Sequence, residues 1–520
     1  MKYWNPIVTG FYPDPSVCFA EGRFYMVNSS FQYFPGVPLW ESTDLLNWKP
    51  IGHVLTRKSQ VELDRVNSSG GVFAPTIRYY EGRFFMVTTN DTTHKNFFVY
   101  TDDIYGEWSE PVTVDQDGID PSLYFEDGIC YFLSNGTDDD GDHGVVQCII
   151  DPVTGEKKTK SVCIWHGSGG RYLESPHLYR IGDYYYVMAA EGGTEYGHMI
   201  TYGRGKNPFG PFENYPGNPV LTNRNKAPYI IQGIGHGDLI RKENGEWFIL
   251  SLGFRQYHIW TTHHQLGREV FLTPVTFGSD GWFTAGNNGT TDDVHEMQGD
   301  IPQERPTRFR MTEESLKTDW IYLRHPHFED YELQENQAVL HGTGITLNDT
   351  DSPTFVGIRQ REFNGELRVK VSLDSGEAGV TAYMDENSHY ELAVRKIGDT
   401  EEAADNCVGC APIPGAEYEA VCRLNIGGIH HIAGRLALEK PEAELRLVSD
   451  NWGYRFSVLS DGGEQTLGRG DARYLSSETC GGFTGVVFGL YAYGSGASKN
   501  TAVFTDFAYD ITLQTENGGM

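Results

Sequence analysis

The chain has 520 residues, of which 39% are hydrophobic and 13% aromatic, with 61 glycines, and that length exceeds one ordinary core, so at least two domains are expected. Its 41 Lys+Arg against 71 Asp+Glu give a formal net charge of −30, which argues against nucleic acid as a partner, because a phosphate backbone needs clustered cations. The aromatic and glycine content suits short strands and tight turns better than helices.

The first ten residues, MKYWNPIVTG, carry a lysine but no apolar run behind it, so no secretory signal is read and a cytoplasmic protein is expected. No apolar stretch is long enough to span a bilayer, and no membrane partner is expected. The cysteines at 18, 130, 148, 163, 407, 410, 422 and 480 are too sparse for a disulfide scaffold and read as reduced thiols. Cys407-Val-Gly-Cys410 lacks the second ligand pair that a zinc site would require, so it too reads as ordinary thiols.

The first 270 residues contain one pattern five times: a small or acidic residue, usually Pro, an apolar stretch, a Gly turn and an aromatic-rich strand. The copies begin at Asp14-Pro15, Ala74-Pro75, Asp120-Pro121, Glu174-Ser175-Pro176 and His236-Gly237. Each reads as a hairpin turning at Gly22, Gly82, Gly128, Gly182 or Gly245, followed by further strands. Such a unit cannot cover its own faces and stacks radially on its neighbours, which predicts a five-bladed β-propeller over residues 1–303.

In that architecture the innermost strand of each blade starts at the central channel, so residues 14, 74, 120, 174 and 236 are expected to ring one cavity. A single Asp-Pro is usually a turn whose side chain caps local amides. Three carboxylates converging on one channel are different, because like charges share a cavity only if their protonation is managed. Glycoside hydrolysis requires that division: a protonated carboxyl for the leaving oxygen and an ionised one to activate water or attack carbon.

The stretch NPIVTGFYPDPSV, together with GGVFAPTIRYYEGRFFMVTTN, DGIDPSL, LESPHLY, GIGHGDL and LGREVFLTPV, resembles glycoside hydrolase family 43 in its β-xylosidase and α-L-arabinofuranosidase branch. The resemblance implies Asp14 as general base, Glu174 as general acid and Asp120 as the carboxylate that tunes and orients the acid. It implies inversion, with the two working carboxyls about 6.5–9.5 Å apart. Arg268 matches an arginine that holds sugar hydroxyls, and Phe31 and Phe73 match aromatic positions lining the sugar pocket, Phe73 standing where the family often has a larger ring. His236 matches a histidine that in many members faces a calcium ion or its waters, and a neutral histidine bonded within the channel is the other reading. No oxygen-rich loop is present, so an ion there would be hydrated and the chemistry requires no cofactor.

After FLTPVTFGSDGWFTAG the repeat stops, and a polar Pro-containing stretch (299–309) leads into segments of period-two alternation such as ELRVKVSL and HYELAVRK. These predict a β-sandwich over 304–520, and the ending resembles the concanavalin-like domain attached to family 43 xylosidases. The whole is read as an all-β, exo-acting glycosidase releasing terminal β-D-xylose, and α-L-arabinofuranose as well, from xylo-oligosaccharides and arabinoxylan fragments. A predominant arabinofuranosidase, a fructan-cleaving hydrolase and a non-catalytic sugar-binding propeller are the competing readings, and self-association into a homo-oligomer is left open.

Overall fold

The computed structural model describes residues 1–226, 229–257, 260, 262–399, 413–460, 462–494 and 499–513; Cys407 and Cys410 lie outside these. Among the described residues, 16–285 form five four-stranded antiparallel sheets, each built from strands that follow one another in the chain, except that the first passes over the short strand Tyr33–Phe34. The inner strands are Ser16–Ala20, Thr76–Tyr80, Ile119–Glu126, Glu174–Ile181 and Ile231–Arg241. Successive inner strands lie side by side, and the fifth returns against the first. Side-chain bonds join the closure: the Ser16 hydroxyl donates to Asp238 of the fifth sheet at 2.7 Å and accepts the Ile77 amide of the second at 3.1 Å.

The hairpin turns explain why these strands form where they do. Glu21-Gly22, Glu81-Gly82 and Asp127-Gly128 each have two consecutive positive φ angles, for example 52° and 78° at the first, the geometry that matches the right-handed strand twist. At the amino end, Lys2–Trp4 pairs with Val294–Glu296, and the Asn5 amide bonds the Leu272 backbone in both directions. The start of the chain is thereby fastened to the fifth sheet.

Among the described residues, 308–511 form an eight-stranded and a six-stranded antiparallel sheet around one large apolar core that includes Val369, Leu392, Leu447, Phe456, Phe488 and Phe504. Burial alternates strictly along Gly365–Leu373, as expected for a strand with one face on a core. The two parts of the molecule meet through a two-stranded ribbon, Tyr33–Phe34 against Tyr322–Leu323, and a shared apolar cluster containing Phe11, Phe31, Tyr33, Leu323, Phe355 and Val487. Arg324 is fully buried there and donates to the carbonyls of Val66 and Asp351. Among the described residues no helix is long and apolar enough to cross a membrane.

Candidate active site

A cavity of about 600 Å³ opens where the inner strands begin, and all five repeat positions, Asp14, Ala74, Asp120, Glu174 and His236, line it. That size lies in the usual range for a small-molecule site. The backbone reveals one detail of register. Asp14, Asp120 and His236 have φ of 52°, 54° and 44°, and in the fourth sheet the left-handed residue is Ser175, with φ 55°. Glu174 therefore occupies the position equivalent to Ile119, one residue earlier than the Asp-Pro pattern implies, and both copies carry a bulge just after it. Glu174 thus enters the cavity from a different backbone position than the two aspartates.

The three carboxylates have different surroundings. Burial pushes the Asp14 carboxyl up, but Arg268, His236 and the Ser29 hydroxyl outweigh it and hold the group below the ordinary aspartate range. Arg268 Nη1 donates to Asp14 Oδ1 at 3.0 Å, and the Ser29 hydroxyl donates to Oδ2. Glu174 is pushed up to about 7, by burial first and then by the Asp14 charge. Asp120 is also raised, by burial, then by Glu174 and Asp14. The Ser175 amide donates to Asp120 Oδ2 at 3.1 Å, so Asp120 grips the peptide that follows Glu174. One ionised acid and a neighbouring pair that resists ionising is the arrangement proton transfer needs.

Arg268 is buried, 5% exposed, and also donates to Thr194 Oγ1 and to the backbone carbonyl of Phe483. Its Nε is buried with no hydrogen-bond partner among the described residues. Phe31 and Phe73 both line the cavity with ring centroids 5.5 Å apart. His236 Nδ1 stands 3.6 Å from Asp14 and 3.8 Å from Asp120, and burial lowers its pKa against the pull of the Asp14 charge. As a calcium site this set fits poorly: His236 offers nitrogen, and Asp14 and Asp120 are committed to Arg268, Ser29 and Ser175.

Several lining residues escape sequence reading. Phe483, from the carboxy-terminal part, closes one wall: its ring stacks on Phe31 at 5.7 Å and meets Phe73 edge-on at 6.1 Å, and Arg268 lies over it at 5.5 Å. Glu478 accepts from the His264 amide and from Tyr196, and its Oε1 lies 2.7 Å from His264 Nδ1, tying that wall to the fifth and fourth sheets. His198 donates from Nδ1 to the Gly233 carbonyl, and burial lowers it to about 3, leaving Nε2 an acceptor. A Cβ at Gly235 would stand 2.3 Å from the His198 ring, so only glycine fits there. No local motif marks these residues, because each reaches the cavity from a distant segment.

One step deeper along the same strands lies a second polar cluster. Asp238 accepts from both Arg78 Nη atoms, from Tyr179 at 2.6 Å, from the Ser16 hydroxyl and from the Val17 amide. Arg78 Nη2 also donates to His177 Nδ1 at 3.0 Å. Burial opposes ionisation of Asp238, and the facing guanidinium overcomes it, so its carboxyl falls well below the ordinary range.

This fold and this ring of acids define a carbohydrate-cleaving enzyme, and comparison with known proteins agrees. Residues 3–283 match the model for glycosyl hydrolases family 43, and residues 309–510 match the β-xylosidase C-terminal concanavalin A-like domain. The chain belongs to glycosyl hydrolase family 43 and is a glycosidase. It is 36% identical to a non-reducing end α-L-arabinofuranosidase of Bacteroides ovatus, covering 97% of this chain and 94% of that one. A xylosidase/arabinosidase of Butyrivibrio fibrisolvens is 33% identical over 97% of this chain and 98% of its own. Among solved structures, the Bacteroides ovatus Xyloglucan PUL GH43B superposes with a TM-score of 0.88 at 35% identity, covering 99% of this chain and 100% of that one.

Proposed function

We propose that the protein is an inverting, exo-acting glycosidase that removes terminal β-D-xylosyl and α-L-arabinofuranosyl groups from xylo-oligosaccharides and arabinoxylan fragments. The observation that carries this reading is the opposite tuning of two acids in one cavity, Asp14 held ionised and Glu174 held protonated up to about 7. Asp14 takes a proton from water as the water oxygen bonds to the anomeric carbon. Glu174 gives its proton to the glycosidic oxygen as the bond to carbon breaks. Asp120 keeps the acid oriented through Ser175, and Arg268, Phe31, Phe73 and Phe483 hold the terminal sugar.

We read the five closed sheets as five propeller blades, put the domain junction at 303/304, and give the second domain the role of a wall that admits one chain end. Support for the wall comes from Ser477, Glu478 and Phe483 in the cavity lining. A cation beside His236 would be held through water. The names of the relatives support both sugars, and the Bacteroides ovatus relative favours a second reading, a predominant arabinofuranosidase. Specificity constants on the two nitrophenyl pentosides separate these.

NMR of the first-formed sugar tests the mechanism: early accumulation of the retained anomer would overturn inversion. Glu174→Ala should cut turnover of xylobiose by ~10²–10⁴-fold and that of a nitrophenyl xyloside far less, because a good leaving group needs little protonation. Unchanged xylobiose turnover would refute Glu174 as the acid.

A further inference from the structure

We propose that Asp142, Cys163 and His166 bind a single thiophilic divalent cation, zinc foremost, on the outer rim of the third sheet. Asp142 immediately precedes the strand His143–Ile150, Cys163 lies in the outermost strand Val162–Trp165, and His166 follows that strand directly. Pairing of Val145 with Trp165 brings the two segments together. His166 Nε2 is 3.0 Å from both Asp142 oxygens and 3.6 Å from Cys163 Sγ. One ligand atom from each residue lies within 4.8 Å of the others.

These separations suit a tetrahedral ion. Bonds of about 2.0 Å to nitrogen or oxygen and about 2.3 Å to sulfur place tetrahedral N and O ligands roughly 3.3 Å apart, and N and S ligands roughly 3.6 Å apart. A thiolate, an imidazole and a carboxylate form a donor set that zinc accepts and that calcium and magnesium do not favour. Solvent supplies the fourth position, since Asp142 and His166 are exposed.

A second observation is that the ligand segments are already held. Asp138 accepts the amides of Asp140 and Asp142 through Oδ1 and that of Cys163 through Oδ2, so one carboxylate fastens the loop to the strand. Neighbouring Asp139 and Asp140 are ion-paired with Lys157 and Lys160, whereas Asp142 faces His166. The other cluster of this kind among the described residues, Glu62, Asp64 and His325, contains no thiol, and its His325 Nε2 is bonded to the Val61 carbonyl. Residues 167–173 run from His166 to Glu174, with Tyr172 on the cavity wall and the Ser168 and Gly170 amides fixed on Glu191. An ion at His166 would fasten the root of that segment. The site does not depend on the catalytic reading.

The test is a cobalt titration of chelator-treated protein carrying Cys407→Ser and Cys410→Ser, which removes the only CxxC pair in the sequence. The expected result is a thiolate-to-cobalt charge-transfer band that saturates at one equivalent, is bleached by zinc, and accompanies a rise in Tm. Cys163→Ser should abolish the band, and His166→Ala should weaken binding by ~100-fold or more, since even outer partners of a ligand cost 10–100-fold. Absence of the band in the parent, or its persistence in Cys163→Ser, would overturn the proposal.

Discussion

Two polar clusters sit on the same inner strands, one above the other, and they solve opposite problems. In the deeper one a single carboxylate, Asp238, faces Arg78, and five donors from Ser16, Val17, Arg78 and Tyr179 fill its oxygens. In the upper one three carboxylates share Arg268, which touches only Asp14 among them. The satisfied cluster holds its charge firmly and contributes cohesion between sheets. The unsatisfied one leaves Asp120 and Glu174 with raised pKa values, a cost in stability that serves as chemical capacity.

The largest effect should come from breaking the upper cluster. Asp14→Asn should lower kcat by ~10²–10⁴-fold on every substrate, whatever its leaving group, while Tm stays close to the parent's. Steady-state kinetics alongside a thermal melt check both halves, and a large fall in Tm would mean that Asp14 is structural.

Breaking the lower cluster should do the reverse. Arg78→Met leaves Asp238 buried without its counter-ion, so a loss of about 3–5 kcal/mol in unfolding free energy is expected. Denaturant melts measure it. A double variant with Asp238→Asn should recover part of the loss, which separates charge from packing.

The smallest and most diagnostic effect concerns pH. The folded pKa of Glu174 is raised from 4.5 to about 7, so the stability of its protonated form is complete below about 4.5 and is lost as pH rises through about 7. Glu174→Gln removes that loss. It should be ~1–2 kcal/mol more stable than the parent at pH 8, after allowance for the half-buried carboxyl, and equal to it near pH 4. Activity should decline above about 7 as the acid ionises, a limb that pH–rate profiles reveal.

The strands and the site acids were unusually legible. Short hairpins announced themselves through Glu-Gly and Asp-Gly turns, and Asp14, Asp120 and Glu174 stood out because one repeat carried them to one end of five strands. The one-residue offset of Glu174 was not legible, since Glu-Ser-Pro and Asp-Pro differ only in which residue takes the positive φ. Arg78, His177, Tyr179 and Asp238 looked like ordinary strand residues, and only the closed ring brings their side chains together. Phe483 lies 215 residues beyond Arg268, with no motif linking them.

The sequence by itself determined the all-β class, the two-part organisation and which carboxylates would meet, because strand period, turn chemistry and internal repetition are local and survive in the order of residues. Tertiary structure alone decided which acid is held ionised, which are pushed toward the protonated form and what walls the cavity. Those depend on burial and on charges brought from other sheets: the field at Asp14 exists only once Arg268 and Ser29 have arrived around it, and Phe483 of the second domain holds Arg268 through its carbonyl.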